Sequence, residues 1–186
     1  MKKIGVLAVQ GAFIEHEKIL SELGCQCVEL RKKSHIGTLD GIVLPGGEST
    51  VQGKLLQELD MFEPLKEMIE ADTPVLATCA GLILLAQKIS NDSNIYFGTL
   101  PVTVKRNAYG RQLGSFHYTS QFAHYNDVDM TFIRAPYIES VSDSVSVLAT
   151  VENNIVAARY HNQIGISFHP ELDNETRIHE YFLNSI

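Results

Sequence analysis

Pro74-Val75-Leu76-Ala77-Thr78-Cys79-Ala80-Gly81-Leu82-Ile83-Leu84-Leu85-Ala86 is the stretch that decides the fold class of this 186-residue chain. "PVLAT" is a short apolar run of strand length, the pattern of a strand buried on both faces of a sheet. The small residues Ala80 and Gly81 follow, and "AGLILLAQKI" then has the composition of a helix. A strand that passes into a helix through a tight turn is the repeating unit of an open α/β sheet. Ligands in such sheets bind beyond the carboxyl ends of the strands. Cys79 sits at such an end, in the position of a nucleophile elbow that lifts a side chain out of the sheet. The helix after it aims backbone N–H groups and a positive dipole end at the sulfur, which favours thiolate. A buried structural cysteine is the alternative, and this segment alone leaves it open.

The flanking sequence continues the alternation. Before Cys79, the strand-like runs "KIGVLAV", "CQCVEL" and "GIVLP" are interleaved with the helical patterns "AFIEHEKILSEL", "STVQGKLLQEL" and "FEPLKEMIEA". Gly24 ends the first helix as a C′ glycine, and Ser49-Thr50-Val51-Gln52 fits a capping box. After Cys79 come six short runs divided by turns: "LPVTVKRN", "GSFHYTSQF", "MTFIRAP", "SVSVLATV", "IVAARYHN" and "IGISFHPE". A helix, "NETRIHEYFLNSI", follows them. The expected fold is α/β, with three layers: a mostly parallel central sheet, helices on both faces and an antiparallel strand section in the second half. Residues 1–186 are expected to form one domain, a length that buries roughly 70% of its unfolded surface.

Bulk composition narrows the function. The net charge of −7 argues against nucleic acid as a partner, because such binders concentrate Lys and Arg. No segment approaches the ~18 apolar residues of a membrane span. The apolar run Ile4 to Val9 after Lys2-Lys3 is too short for a signal-peptide core and reads as a first strand. A cytoplasmic location is expected. The three cysteines, Cys25, Cys27 and Cys79, are an odd count that suggests no disulfide framework. Cys25 and Cys27 read as small core residues on one strand face, without the further ligands a metal site needs.

A cysteine nucleophile needs a base, and the base needs an orienter. His169 ends the strand-like run "IGISF", and Pro170 stops that strand from continuing in a regular ladder. Glu171, two residues on, is placed to hold the imidazole through its other nitrogen. A third strand end, in "GIVLPGGEST", carries Gly46-Gly47, whose backbone N–H groups are free of Cβ obstruction. The N–H groups of Gly47 and Ala80 are the candidate oxyanion donors, each worth roughly 10²–10³ in rate. The remaining histidines carry no comparable support. His16 is expected to be exposed on the first helix, and His161 to be solvated in a turn. His35, His117, His124 and His179 lack an adjacent nucleophile.

Together these pieces resemble the class I, triad-type glutamine amidotransferases. The motifs "VQGAFIEH", "LPGGEST", "TCAGL", "RNAYGRQ", "FIRAP" and "SFHPEL" resemble one branch, the glutaminase subunits of pyridoxal 5′-phosphate synthase (vitamin B6 biosynthesis). The motifs span Gln10 to Leu172. The resemblance implies that Cys79 attacks the side-chain amide of L-glutamine, that His169 is the base and that Glu171 orients it. It implies a glutamine site made of Gly47, Glu48, Ser49, Arg106, Ile133 and Arg134. Read by themselves, both arginines would be surface residues, and the residues leave open which one takes the substrate carboxylate. The resemblance further implies a hetero-oligomeric complex, in which ammonia is channelled to a synthase subunit and docking, through the loop at Gln10 and Gly11, completes the oxyanion hole. No cofactor and no metal are expected. Two positions depart from the family pattern: Ala77, where the elbow usually has glycine, and Val51, where a small or hydroxyl residue is usual. Two other readings remain, a glutaminase for a different synthase and a non-catalytic cysteine-based redox or binding module.

Overall fold

The apolar runs of the sequence become neighbouring strands in the computed structural model, which describes residues 1–109, 114–173 and 175–186. Residues 110–112 of the "RNAYGRQ" motif and residue 174 of "NETRIHEYFLNSI" lie outside the described residues. β1 (Lys3–Leu7), β2 (Gln26–Leu30), β3 (Gly41–Leu44), β4 (Val75–Thr78) and β12 (Gln163–Ile166) form a parallel block ordered β2-β1-β3-β4-β12. Every residue of β3, β4 and β12 is buried, as the mainly apolar character of strands covered on both faces requires; the polar exceptions, Thr78 and Gln163, are hydrogen-bonded.

Among the described residues, five helices cover this block. α2 (Ser49–Glu58), α3 (Phe62–Glu70) and α4 (Ala80–Leu85) pack on one face, where Leu56, Leu65 and Leu82 join Leu44, Val75 and Ala77. α1 (Phe13–Glu22) and α5 (Thr176–Leu183) pack on the other, where Leu20, Ile178 and Phe182 meet Ile4, Val43 and Leu76. Val75, Leu76 and Ala77 thus alternate between two cores, as side chains along a strand must. Phe182 is fully buried, and truncating such a side chain to Ala costs about 3–5 kcal/mol.

The second half extends the same sheet with mostly antiparallel strands. Beyond β12 come β11 (Asn154–Tyr160), β9 (Tyr137–Val141), β6 (Leu100–Lys105) and β5 (Ala86–Ile89), with β10 (Ser146–Val151) paired to β11. β7 (Ser115–Phe122) and β8 (Tyr125–Ile133) form a separate antiparallel ribbon.

Local details differ from the sequence expectation in three places. The helix after Cys79 stops at Leu85 instead of running through Ile89, and Ala86–Ile89 becomes β5, parallel to β6. The Phe97 N–H donates to the freed Leu84 carbonyl at 2.9 Å, which caps the short helix. β9, with only Ile138 buried, carries too weak an alternation to be read as a strand. The capping box at Ser49 does not form. Glu48 is the N-cap of α2, its side chain accepting from Thr50 N–H, because Gln52 instead donates to the carbonyls of Gln10 (3.0 Å) and Pro45 (3.1 Å).

Candidate active site

β3, β4 and β12 are adjacent and parallel, so the residues following each strand meet at one edge. Cys79 follows β4 with φ 50° and ψ −100°, a left-handed backbone that is strained by about 1–3 kcal/mol in a non-glycine residue. Its N–H donates to the Ile166 carbonyl at the end of β12 (2.8 Å), which holds the turn in place. The turn presents Sγ 3.9 Å from the Ile133 carbonyl, on the wall of the cavity that His169 also lines. His169, just beyond β12, is anchored by its N–H to the Thr131 carbonyl (2.8 Å). Its Nδ1 lies 2.7 Å from Glu171 Oε1, in the single turn Pro170–Leu172.

Gly46 and Gly47 end β3 on the other side of Cys79. Gly46 is buried, and its N–H donates to Thr78 Oγ1 (2.9 Å). A Cβ here would run into the imidazole ring of His169, so glycine is what lets the ring lie against this loop. Gln10 Oε1 accepts the Glu48 N–H (2.8 Å), and the Ala12 N–H donates to the Gly46 carbonyl (3.0 Å). The loop after β1 is therefore built into the glycine loop.

These groups surround a cavity of about 740 Å³, a usual size for a small-molecule site. Cys79 and His169 line it together with Gly47, Glu48 and Ser49; Ala80, Ile133 and Gly11 also reach its wall. Glu171 stands behind His169, and Gln10 behind the glycine loop. Arg106 and Arg134 both border the cavity but differ in their pairing. Arg106 is bound to Glu48 Oε1 (2.8 Å) and Asp92 Oδ2 (2.7 Å). Among the described residues no carboxylate pairs with Arg134.

A profile of the SNO glutamine amidotransferase family matches residues 6–186. The chain belongs to this family. A relative from Desulfitobacterium hafniense (strain Y51), named pyridoxal 5′-phosphate synthase subunit PdxT, is 66% identical over 99% of this chain and 93% of its own length. A relative of the same name from Haemophilus influenzae (strain PittEE) is 52% identical over 98% and 97%. A crystal structure titled glutamine amidotransferase superposes with a TM-score of 0.93 at 38% identity, covering 98% of this chain and 97% of that one.

In this SNO-family amidotransferase the electrostatics of the row follow from its packing. Burial opposes a charge on His169, but the influence of Cys79 and the hydrogen-bonded Glu171 carboxylate outweigh it and push the imidazole up to about 10. Burial also opposes ionisation of Glu171, and His16 and His169 overcome it, holding the carboxyl below its usual range. The sequence reading of His16 as exposed is wrong. It is fully buried, with Nε2 3.3 Å from Thr78 Oγ1 and 3.5 Å from Glu171 Oε2. His179, also fully buried, places Nε2 2.8 Å from His16 Nδ1. Residues near the site that escaped the sequence reading include Thr78, Asp92 and Tyr109. Tyr109 lines the cavity, and its phenol is pushed up to about 12, chiefly by burial.

Proposed function

We propose that this chain hydrolyses L-glutamine to L-glutamate and ammonia through a thioester on Cys79 and passes the ammonia to a pyridoxal 5′-phosphate synthase subunit. Two relatives at 66% and 52% identity carry the name of a subunit of that synthase. The observation that carries the chemistry is Cys79 on its strained turn, flanked by Gly46-Gly47 on one side and by His169 backed by Glu171 on the other.

In this reading His169 takes the thiol proton, and the Cys79 sulfur attacks the glutamine side-chain carbonyl. The oxyanion that forms is met by the Gly47 and Ala80 N–H groups. His169 returns the proton to the amide nitrogen, the C–N bond breaks, and ammonia leaves. A water deprotonated by His169 then adds to the thioester carbonyl, and the C–S bond breaks to give glutamate and the free thiol. Glu171 keeps Nδ1 protonated throughout, so that Nε2 is the nitrogen facing Cys79. Arg134, without a carboxylate of its own, is suited to the substrate α-carboxylate. Glu48 and Ser49 border the space for the ammonium end, and Ile133 supplies the wall opposite the sulfur.

Gln10 and Gly11 are proposed as the link to the partner. Gln10 holds the Glu48 N–H, so a synthase subunit that moves Gln10 changes the glycine loop directly. We also propose a cytoplasmic location; among the described residues all three cysteines are free, which suits a reducing compartment, and no helix is long and apolar enough to cross a membrane. The test is glutaminase turnover with and without the synthase subunit. Ammonia and glutamate should form in equal amounts, faster with the subunit present. Stable copurification with a different acceptor enzyme, and no response to the synthase subunit, would overturn the assignment.

A further inference from the structure

Behind the Cys79–His169–Glu171 row lies a second row of buried polar groups that the steps above do not use. His16 of α1 and His179 of α5 meet in the core between helices and sheet, beside Leu20, Ile178 and Phe182. Their rings lie 5.1 Å apart between centroids. Imidazoles buried in apolar surroundings destabilise the fold unless their nitrogens are paired, and a leucine pair would fill the space without that cost. The pairing they do have leads to the site. His16 Nε2 faces Thr78 Oγ1 at 3.3 Å and Glu171 Oε2 at 3.5 Å. Glu171 Oε2 makes no standard hydrogen bond among the described residues, so the 3.5 Å contact with His16 is what faces it. Thr78 Oγ1 in turn accepts the Gly46 N–H at 2.9 Å.

The Glu171 carboxylate decides how this row is protonated, and it leaves His179 Nδ1 without a hydrogen-bond partner among the described residues. A carboxylate only accepts, so the His16 nitrogen facing Glu171 carries the proton. In neutral His16 the other nitrogen, Nδ1, then accepts, and the His179 Nε2–H donates to it. Burial holds both imidazoles below their ordinary value, His179 down to about 3, which keeps the pair neutral. The titratable groups facing His16 are Glu171 and His169 from beyond β12, His179 from α5, and Glu15 on its own helix.

We propose that His16 is a positioning residue for the glutaminase reaction, holding the second oxygen of Glu171 and, through Thr78, the Gly46 end of the oxyanion loop, with His179 fixing its tautomer. The proposal rests on Cys79, His169 and Glu171 acting as described above. His16 touches neither the cavity nor the substrate, so its loss acts on kcat and leaves the KM for glutamine unchanged. Without the His16 N–H, Glu171 Oε2 is buried with no donor and accepts a proton more readily. The carboxylate is then lost at higher pH, and the acid limb of the kcat profile moves upward.

The test uses the chain in complex with the synthase subunit and compares the parent with His16→Leu, His16→Gln and His179→Leu. Readouts are kcat, KM and the pH profile of kcat, with thermal melting to establish folding. His16→Leu should lower kcat about tenfold at neutral pH, the scale of lost outer partners and well short of the ~10⁴-fold for a triad carboxylate. Its acid limb should move to higher pH with KM unchanged. His16→Gln, which keeps an amide donor, should restore most of both, and His179→Leu should fall between. A folded His16→Leu with the parent kcat and acid limb overturns the proposal. So does an equal loss in His16→Leu and His16→Gln with the acid limb unmoved, which marks a packing role only. If His16→Leu does not fold, an unmoved acid limb in both His16→Gln and His179→Leu overturns it, and a displaced limb in His179→Leu supports it. A parent chain without synthase-stimulated glutaminase activity refutes the underlying function instead.

Discussion

Replacing Gly46 by Ala tests whether the glycine loop and the proposed base, His169, are one fitted unit. Gly46 does not have a positive φ, so the backbone itself accepts alanine, and the effect comes from the added methyl alone. That Cβ would lie 2.9 Å from His169 Nδ1 and closer still to Cε1, where non-bonded contacts are ordinarily about 3.5–4.0 Å. The ring cannot turn away freely, since Glu171 Oε1 grips Nδ1 at 2.7 Å and Thr131 holds the backbone at 2.8 Å. It must therefore retreat from Cys79 by on the order of 1 Å, a misplacement that costs about 100-fold in rate, or roughly 2.7 kcal/mol of barrier. Overpacking should also remove about 1–3 kcal/mol of stability, a lowering of Tm by roughly 2–12 °C for a chain of this size. The assay is steady-state glutaminase kinetics with the synthase subunit present, alongside thermal melting. A folded Gly46→Ala variant whose kcat stays within about threefold of the parent, under ~0.7 kcal/mol, would refute the reasoning.

The other expectations are more direct. Glu171→Gln removes the anion that favours the charged form of His169, so the imidazolium, pushed up to about 10 in the parent, gives up its proton at lower pH. The alkaline limb of the kcat profile should move toward neutral pH, and an unmoved limb would argue against the pairing. Arg134→Ala should raise the KM for glutamine by about 10–100-fold, the loss of a charged hydrogen bond worth ~1.5–3 kcal/mol. Arg106→Ala should raise it less, because that guanidinium is already bound by Glu48 and Asp92. Gly11→Ala places a side chain at φ 105° against the Gly46 carbonyl. It should destabilise the chain by about 1–3 kcal/mol and blunt stimulation by the synthase subunit, read by melting and by paired assays.

The parallel block was legible because β3, β4 and β12 are mainly apolar and each is followed by residues that turn the chain: Pro45-Gly46, Cys79-Ala80 and His169-Pro170. β5 was hidden because "AGLILLAQKI" is helical in composition, and only pairing with β6 draws Ala86–Ile89 into the sheet. His16 had a readable signal that was passed over. It shares the buried stripe of α1 with Ile19 and Leu20, three and four residues on, a spacing that puts all three on the core face. His179 lies in the same way on the buried stripe of α5 with Phe182 and Leu183. What local pattern does not hold is that the two stripes face each other across the Glu171 turn. The same limit applied to Arg106, whose partners Glu48 and Asp92 come from distant segments.

Covalent trapping tests the central claim most directly. The chain, with the synthase subunit bound, would be treated with a glutamine analogue carrying a diazoketone in place of the amide, and the adduct mapped by mass spectrometry. One adduct on Cys79 is expected, slowed by added L-glutamine and abolished in His169→Ala. Labelling of Cys25 or Cys27 instead, or labelling of Cys79 that glutamine does not slow, would contradict a glutaminase nucleophile at the end of β4.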